Sequence, residues 1–278
     1  MPELPEVETI KRIIKPQIAG RSIVSVDVRH SQVIAYPDAE SFASRLKGQT
    51  VTGMSRKGKF LSVLFESRDR LYLHLRMTGQ LLVTPADYEI EKHTHLILEL
   101  SNGNQIRYVD TRRFGRFWYL TKGESLAITG ADRLGIEPTD QKLTAAYLKE
   151  RAAGRKIAVK EMLLDQSVVA GIGNIYSDEI LFAAGIHPAG KCCDLAEDRW
   201  EILAAKIPEV IAWAIRKNRI TPEQYLEGKG KEYRNTPFLR VYGHKGKPCP
   251  RCGSAFERIM IGGRSSTYCP KCQMLMSD

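Results

Sequence analysis

The sequence predicts an α+β protein of more than one domain. It would have an antiparallel β-sandwich with a leading helix, then a helical domain, then a β-hairpin that carries cysteines. Three observations predict this. Apolar and polar residues alternate through most of residues 1–134, the apolar spacing becomes helical after residue 135, and two Cys-x-x-Cys pairs lie near the end. Hydrophobic residues make up 43% and charged residues 27% of the 278 positions, which excludes a disordered or fibrous chain.

The leading helix is predicted to begin at Pro5, because proline suits the first helical position. Glu6 and Glu8 then lie near the positive end of the helix dipole. One face of this helix is apolar, and its members are Val7, Ile10, Ile14 and Ile18.

Strands are predicted at residues 24–28, 71–77 and 96–100, where apolar residues occupy every second position. Asn102-Gly103 is a strong hairpin signal, and residues 105–110 form the returning strand. Strands and turns at this spacing are typical of an antiparallel sandwich or barrel.

The second half has a helical period. Helices are predicted over residues 147–153 and 157–164, from Asn174 to Phe182 with Gly185 ending it, and from 194–197 towards Lys217 with a bend at Pro208. Glycine, proline and polar residues at 130–142 mark the boundary between the halves. The predicted domains are therefore 1–134, 135–240 and 241–278.

The charge of the chain indicates a polyanionic partner. There are 42 Lys and Arg residues against 32 Asp and Glu, a net charge of +10, and cations placed on phosphates release condensed counterions. Many basic proteins bind nothing specific, so charge alone leaves nucleic acid as one alternative. No apolar run is long enough to span a membrane, and the N-terminus lacks the features of a signal peptide, so we expect an intracellular protein.

Four of the six cysteines form two Cys-x-x-Cys pairs separated by sixteen residues: Cys249, Cys252, Cys269 and Cys272. Two such knuckles complete a tetrahedral zinc site, and four thiolates leave no position for water, so the metal would be structural. Disulfides are the alternative, but they conflict with the missing signal peptide. Cys192 and Cys193 are adjacent and have no partner pair, which favours a passive role.

Three further segments have a DNA-binding and a plain structural interpretation. Arg264 follows Gly262-Gly263 in a predicted hairpin and would contact phosphate or a groove, or lie solvated in a loop. Residues 216–247 hold nine Lys or Arg and three acids with interleaved aromatics, which suits phosphate contact and base stacking, or a solvated loop with core aromatics. The turn at 164–174 would seat a phosphate at the following helix, or simply connect two helices.

The N-terminus is a candidate reactive group. Pro2 is a small second residue, so removal of Met1 is expected and would expose a secondary amine. An α-amino group titrates near ~8, and a helix N-terminus beside it would favour its neutral form further. Such an amine can attack a sugar carbon and form an iminium that permits elimination of a phosphate, with Glu3 transferring protons. The alternative is that these residues only cap a helix.

Taken together, the sequence resembles the formamidopyrimidine-DNA glycosylase family, bacterial enzymes that remove oxidised purines. The resemblance covers essentially the whole chain and lies in five ordered motifs: 2–9, 74–79, 110–115, 169–176 and the cysteine pairs. It implies a β-sandwich catalytic domain, a helix–two-turn–helix domain with a lesion loop at about 217–238, and a zinc finger. It also implies a monomer that acts on damaged double-stranded DNA in the cytoplasm, at the nucleoid, with structural zinc as the one cofactor.

The resemblance implies a bifunctional glycosylase and β,δ-lyase acting on 8-oxoguanine and formamidopyrimidines. Pro2 would be the nucleophile, Glu3 the general acid and base, and Lys59 and Arg264 further catalytic residues. Three residues would fill the gap left by the everted base, which offsets part of the stacking energy lost: Met77, Arg112 and Phe114. Further DNA contacts would be His74, Asn174, Tyr242 and Lys160, with Glu6 near the reacting centre.

One segment departs from the family. Members usually carry two small residues and then a basic one before the lesion loop, whereas this chain has Asn218-Arg219 and Glu223. Residues 232–238 also lack the usual loop tip, and Pro222 removes an N–H donor. The same chemistry could therefore favour other lesions: hydantoins, bulkier ring-opened purines or oxidised pyrimidines.

Two other classes of protein remain as alternatives. A zinc-ribbon DNA-binding protein without catalysis would not require Pro2, Glu3 and Lys59. A metal-dependent nuclease would use His93 and His95, which share a strand face but have no acidic cluster beside them.

Overall fold

The computed structural model describes residues 2–231 and 236–275, which group into two compact units. The first unit holds residues 2–132 and 218–231, and the second holds 133–217 and 236–275. The chain thus enters the second unit close to the predicted boundary. Residues 218–231, however, which the prediction placed in the helical domain, belong with the β-sandwich.

The helices are α1 (Leu4–Ile18), α2 (Ala39–Leu46), α3 (Ala145–Ala152), α4 (Val159–Leu164), α5 (Asn174–Ala184), α6 (Glu197–Lys217) and α7 (Pro222–Glu227). The strands are β1 (Ile23–Val28), β2 (Ile34–Tyr36), β3 (Val51–Lys57), β4 (Phe60–Phe65), β5 (Arg70–His74), β6 (Gln80–Pro85), β7 (Thr94–Leu100), β8 (Asn104–Val109), β9 (Arg116–Leu120), β10 (Glu257–Ile261) and β11 (Arg264–Tyr268).

Two sheets form the first unit, in the orders β1-β7-β8-β6 and β2-β9-β5-β4-β3. All described pairings in these sheets are antiparallel apart from the parallel pair β2–β9. One buried cluster takes alternate side chains from both sheets and the apolar face of α1, including Ile14, Leu73 and Leu98. The predicted antiparallel sandwich with a leading helix is confirmed, and the β7–β8 hairpin turns at Gly103 with φ +83°.

The prediction of a strand over 71–77 was too long. Strand β5 ends at His74, and residues 75–79 turn into β6 with Arg76 in the left-handed region at φ +56°. Met77, which the alternation placed at the end of this strand, therefore lies in the turn and is 44% exposed. A Cβ on Gly79 would lie 2.7 Å from the Tyr108 hydroxyl, so the turn has room for glycine only.

Helix α7 packs against α1 and β6 within the first unit. Tyr225 is buried in the sandwich core, and Asn218 Nδ2 donates to Thr9 Oγ1 of α1 over 3.1 Å. These contacts explain why 218–231 belong with the β-sandwich. They also show that Tyr225, predicted as a base-stacking aromatic or a core residue, is a core residue.

In the second unit, α5 is buried along most of its length and packs against α4, α6 and β11. It ends at Gly185, as predicted, in the left-handed conformation at φ +66°. Helix α6 continues through Pro208 to Lys217. No helix within the described ranges combines the length and apolarity that a membrane span requires.

Candidate functional site

The start of α1 presents Pro2 and Glu3. Both are buried, and Glu3 occupies the N-cap position of the helix. The Glu3 N–H donates to Oε2 of Glu6 over 2.9 Å, so the carboxylate of Glu6 fixes the backbone next to Pro2. The helix dipole at this end disfavours an added positive charge. The sequence interpretation of a plain helix cap and that of a reactive amine both fit this position.

A charged bridge ties α1 to the hairpin that carries Lys59. Glu8 accepts from Arg56 Nε over 3.0 Å, and Arg56 NH1 donates to the Gly58 carbonyl over 3.0 Å. Burial alone would raise the pKa of Glu8, but hydrogen bonds from Lys11, Arg56 and Arg12 outweigh it and lower that pKa. Lys59 follows at the β3–β4 turn and is largely buried, with 8% of its surface exposed. This bridge was not predicted from sequence, where Glu8 was interpreted only as a dipole partner.

His74 lies opposite Phe60, the residue after Lys59, and their rings meet edge-on with centroids 4.7 Å apart. Its Nδ1 accepts the Arg76 N–H over 3.0 Å. Burial, with the positive charges of Arg76 and Lys59, lowers the pKa of His74 to about 3. The ring is therefore neutral at pH 7 and carries its proton on Nε2, which makes that nitrogen a donor suited to a phosphate oxygen.

The three predicted gap-filling residues come together on two neighbouring loops. An Arg112 guanidinium nitrogen lies 3.1 Å from the Met77 sulfur, and the guanidinium carbon lies 4.5 Å from the centre of the Phe114 ring. Met77 is 44% and Phe114 45% exposed, so two large apolar side chains are open to solvent on either side of Arg112. We call these three residues the wedge.

The second unit brings Asn174 and Lys160 to the hairpin β10–β11. Lys160 is fully buried, and its Nζ donates to Asp178 over 2.5 Å and to the Ser265 carbonyl over 3.0 Å. Burial raises the pKa of Asp178, while Lys160 favours its charged form. The prediction of Lys160 as a DNA contact is not supported, because a buried ammonium held this way has no surface to offer a phosphate.

Asn174 begins α5 one position after the N-cap Gly173, and its Nδ2 donates to the same Ser265 carbonyl over 3.0 Å. Its side-chain amide thus holds the hairpin.

Two buried acids on α5 position the rest of the second unit. Asp178 accepts from Ser266 Oγ over 2.7 Å and from the Thr267 N–H over 2.9 Å, which docks β11 and leaves Arg264 exposed at its start. Glu179 Oε1 accepts the N–H groups of Arg240, Val241 and Tyr242 over 2.9–3.0 Å. Burial raises the pKa of Glu179 and those three N–H groups oppose it. In the sequence, both acids stand among the apolar residues of a predicted helix, and this position is the signal that could have indicated their burial.

The four knuckle cysteines converge, with their sulfurs all within 4.8 Å of one another. Sγ of Cys249 lies 3.9 Å from that of Cys272, and Sγ of Cys252 lies 3.4 Å from that of Cys269. Tetrahedral zinc with bonds of about 2.3 Å separates its sulfur ligands by about 3.8 Å, so the arrangement fits the ion. Arg251 extends this centre to α5 by donating to the Phe182 carbonyl over 2.8 Å.

Other predicted features lie elsewhere. Among the described residues, these cysteines are the one cluster suited to a metal, and His95 Nε2, which the nuclease alternative would use, instead bonds the Asp110 carbonyl over 2.8 Å.

Of the two cysteines outside the knuckles, Cys192 is buried and Cys193 is exposed. In the basic stretch, Phe238 is exposed beneath Lys217, whereas Tyr233 and most of the predicted loop tip (232–235), and the tail 276–278, lie outside the described residues.

Comparison with known families covers most of the chain. A profile of the formamidopyrimidine-DNA glycosylase N-terminal domain matches residues 1–117, and one of its H2TH domain matches 134–224. A zinc-finger profile found in the same enzymes and in isoleucyl-tRNA synthetases matches 246–273. With the sulfur geometry, this match assigns one structural zinc to the finger.

The most similar curated relatives include two formamidopyrimidine-DNA glycosylases. That of Moorella thermoacetica is 44% identical and covers 93% of this chain and 94% of its own length. That of Geobacillus kaustophilus is 43% identical over 98% of this chain and its whole length. Among solved structures, Lactococcus lactis Fpg bound to DNA containing Fapy-dG has a TM-score of 0.89 at 33% identity, covering 98% and 100% of the two chains. A complex of the same protein with oxidised-pyrimidine DNA has a TM-score of 0.90.

A first prediction concerns the acid stability of the first unit. His74 titrates near ~6.5 when unfolded, so below that pH the unfolded chain binds one proton more than the folded one until about pH 3. Its contribution to the unfolding free energy therefore falls as pH falls through this window, by at most about 1.4 kcal/mol per pH unit. In urea unfolding at pH 7, 6 and 5, we expect the stability of His74→Gln to depend less on pH than that of the wild type. An NMR titration of the His74 ring with a midpoint near 6.5 would contradict this.

A second prediction concerns metal removal. Cys249→Ser removes one of four zinc ligands, so the finger should lose its fold and Arg264 its position. We expect zinc content to drop well below one ion per chain, and duplex affinity to fall by about 10- to 100-fold through lost charged hydrogen bonds. Metal analysis and a binding titration measure both. Cys193→Ser is the matched control, since Cys193 is exposed outside the knuckles, and it should keep zinc and affinity.

Proposed function

The chain belongs to the formamidopyrimidine-DNA glycosylase family of base excision repair, and from that premise we propose a bifunctional glycosylase and lyase that uses Pro2 as its nucleophile. The observation that carries this proposal is the placement of Pro2 and Glu3 at the N-terminus of α1, with the backbone of Glu3 fixed by Glu6. The bridge from Glu8 to Arg56 ties the same helix to the hairpin of Lys59. A DNA-binding protein without catalysis would require none of these.

In the proposed reaction, the neutral Pro2 nitrogen forms a bond to C1′ of the damaged nucleotide as the bond from C1′ to the base breaks, and the proton that Pro2 N–H loses passes to the departing base. Glu3 donates a proton as the sugar ring opens to the iminium. The iminium withdraws electrons, so loss of a proton from C2′ expels the 3′ phosphate and a second elimination expels the 5′ phosphate. Lys59 and Arg264 would carry positive charge to those phosphates. The four cysteines would hold zinc, which would stabilise the fold of the finger that carries Arg264.

The partner we propose is damaged double-stranded DNA, bound by a single chain at the bacterial nucleoid. A net charge of +10 supports a polyanionic partner. Lactococcus lactis Fpg has been solved with Fapy-dG, abasic-site and oxidised-pyrimidine DNA, which supports a damaged duplex. The exposed wedge supports base eversion, because it offers an Arg and two apolar groups to fill the gap.

The fold of α7 favours a lesion preference other than 8-oxoguanine. Backbone donors along 221–225 are already used within the helix: the Thr221 N–H bonds the Gln224 side chain, the Gln224 N–H bonds Thr221 Oγ1, and the Tyr225 N–H bonds the Thr221 carbonyl. Pro222 has no N–H. A pocket that reads the C8 oxygen through these amides would find few donors, so we propose that ring-opened purines or oxidised pyrimidines are preferred.

The amine mechanism is tested by borohydride trapping on an abasic-site duplex. We expect a covalent adduct that peptide mass spectrometry maps to Pro2. Pro2→Gly, which replaces the secondary amine by a primary one, should slow trapping at least about tenfold, or ~1.4 kcal/mol of transition-state stabilisation. Pro16→Ala is the control, because Pro16 is an exposed proline near the end of α1. If the intact mass shows that Met1 has been removed and still no adduct forms, the result would favour a DNA-binding protein without catalysis.

The lesion preference is tested with Pro222→Ala, which restores one amide donor. Relative to lyase activity on an abasic duplex, we expect 8-oxoguanine excision to rise by about fivefold, the equivalent of one hydrogen bond of ~1 kcal/mol. Parallel assays on formamidopyrimidine and oxidised-pyrimidine duplexes rank the substrates. If wild-type protein already excises 8-oxoguanine fastest and Pro222→Ala leaves the ratio unchanged, the donors of 221–225 are not what selects the lesion.

A further inference from the structure

Asp110, just after β8, is completely buried and both of its carboxylate oxygens are saturated with hydrogen bonds. Oδ1 accepts from the Thr78 hydroxyl and from the Arg112 N–H, the latter over 3.1 Å. Oδ2 accepts from the Tyr108 hydroxyl over 2.8 Å and the Gly115 N–H over 3.0 Å. One carboxylate thus binds four donors from three separate segments.

Three of these donors, all but the Tyr108 hydroxyl of β8, belong to the two loops that carry the wedge. Thr78 follows Met77 in the turn between β5 and β6, while Arg112 and Gly115 enclose Phe114 in the loop between β8 and β9. Between the wedge side chains, the contacts described are weak: an Arg112 nitrogen lies near the Met77 sulfur, and the guanidinium lies over the Phe114 ring. Asp110 is therefore the strong polar link between the two loops.

The backbone of Asp110 is also held. Its N–H donates to the His93 carbonyl over 3.0 Å, and its carbonyl bonds His95 Nε2 over 2.8 Å. The Tyr108 hydroxyl that bonds Asp110 has glycine on two sides, since a Cβ would lie 2.7 Å from it at Gly79 and 1.7 Å at Gly115. The carboxylate, the tyrosine and both loop glycines form one packed group.

The chemistry of this group requires a carboxylate. An ionised Asp only accepts hydrogen bonds, whereas the amide NH₂ of Asn would face two of the four donors. Burial works to raise the pKa of Asp110, but hydrogen bonds from Thr78, Gly115, Tyr108 and Arg112 outweigh it and lower that pKa, so the group is charged.

We propose that Asp110 is a positioning residue for base eversion, which fixes Met77, Arg112 and Phe114 in one arrangement before DNA is bound. This inference rests on the proposed function. A wedge that is already ordered enters the duplex without first losing conformational freedom, so more of its contact energy offsets the lost stacking. The lyase step on a preformed abasic site has no base to displace and depends much less on the wedge.

The test compares two single-turnover rates in Asp110→Asn: excision of a damaged base and strand cleavage at an abasic site. We expect excision to fall by about 10- to 100-fold, as for loss of a hydrogen bond to a charged group, and abasic cleavage by less than about threefold. Stopped-flow fluorescence of 2-aminopurine beside the lesion should show slower opening of the stack. Tyr108→Phe, which removes one donor and keeps the carboxylate, should give a smaller change in the same direction.

Asp69→Asn is the matched control. Asp69 also accepts a tyrosine hydroxyl, that of Tyr119 over 2.6 Å, and a backbone N–H, that of Lys122 over 2.8 Å, in the same β-sandwich but away from the wedge loops. It should leave both rates within about twofold.

Equal loss of both rates in Asp110→Asn, or unchanged excision in folded protein, would overturn the proposal, and so would the same split of rates in Asp69→Asn. If Asp110→Asn does not fold, Tyr108→Phe decides by the same ratio. Failure of the proposed function is distinguishable, because wild-type protein would then form no borohydride adduct at Pro2.

Discussion

Buried carboxylates saturated with hydrogen-bond donors are the interaction on which the rest of this structure depends. A desolvated carboxylate is costly unless each oxygen is bonded, so the donors around it are held in one geometry. In the first unit Asp110 holds the two loops of the wedge in this way. In the second unit Asp178 holds β11, and Glu179 holds residues 240–242. Each of these segments is thereby held in one position by an acid that lies on another part of the chain.

The features that sequence predicted well depend on short-range patterns. Alternation through β7 and β8 with Asn102-Gly103 between them is enough to define a hairpin, and two Cys-x-x-Cys pairs are enough to define a zinc site. Gly185 ends α5 as predicted, because the residue that ends the helix adopts the left-handed conformation, which glycine favours. In each case the residues that determine the structure lie close together along the chain, the widest span being the 23 positions from Cys249 to Cys272.

The features that sequence missed depend on distant partners. Lys160 was expected to contact DNA, but it is buried, and Asp178 of another helix neutralises it there. Tyr225 lies in a basic stretch, yet it fills a core built from residues more than a hundred positions earlier. Strand β5 ends at His74, and the turn that follows it needs glycine at position 79 because the Tyr108 hydroxyl, which lies on β8, leaves no room for a Cβ there. No local pattern specifies such partners, and the site residues were identified through the resemblance of whole motifs.

The return of the chain to the first unit at Asn218 has a consequence for how the protein is made. The sandwich core is complete only when Tyr225 is in place, and Tyr225 leaves the ribosome after the whole stretch 133–217 has been synthesised. Synthesis adds about 5–20 residues per second, so the nascent β-sheets wait for several seconds with an open apolar site beside α1. Residues 133–217, interposed in the chain, are synthesised during that interval, and the second unit is itself complete only after residues 236–275 have followed. Vectorial synthesis thus keeps the N-terminal unit, although translated first, from closing until most of the chain has been made.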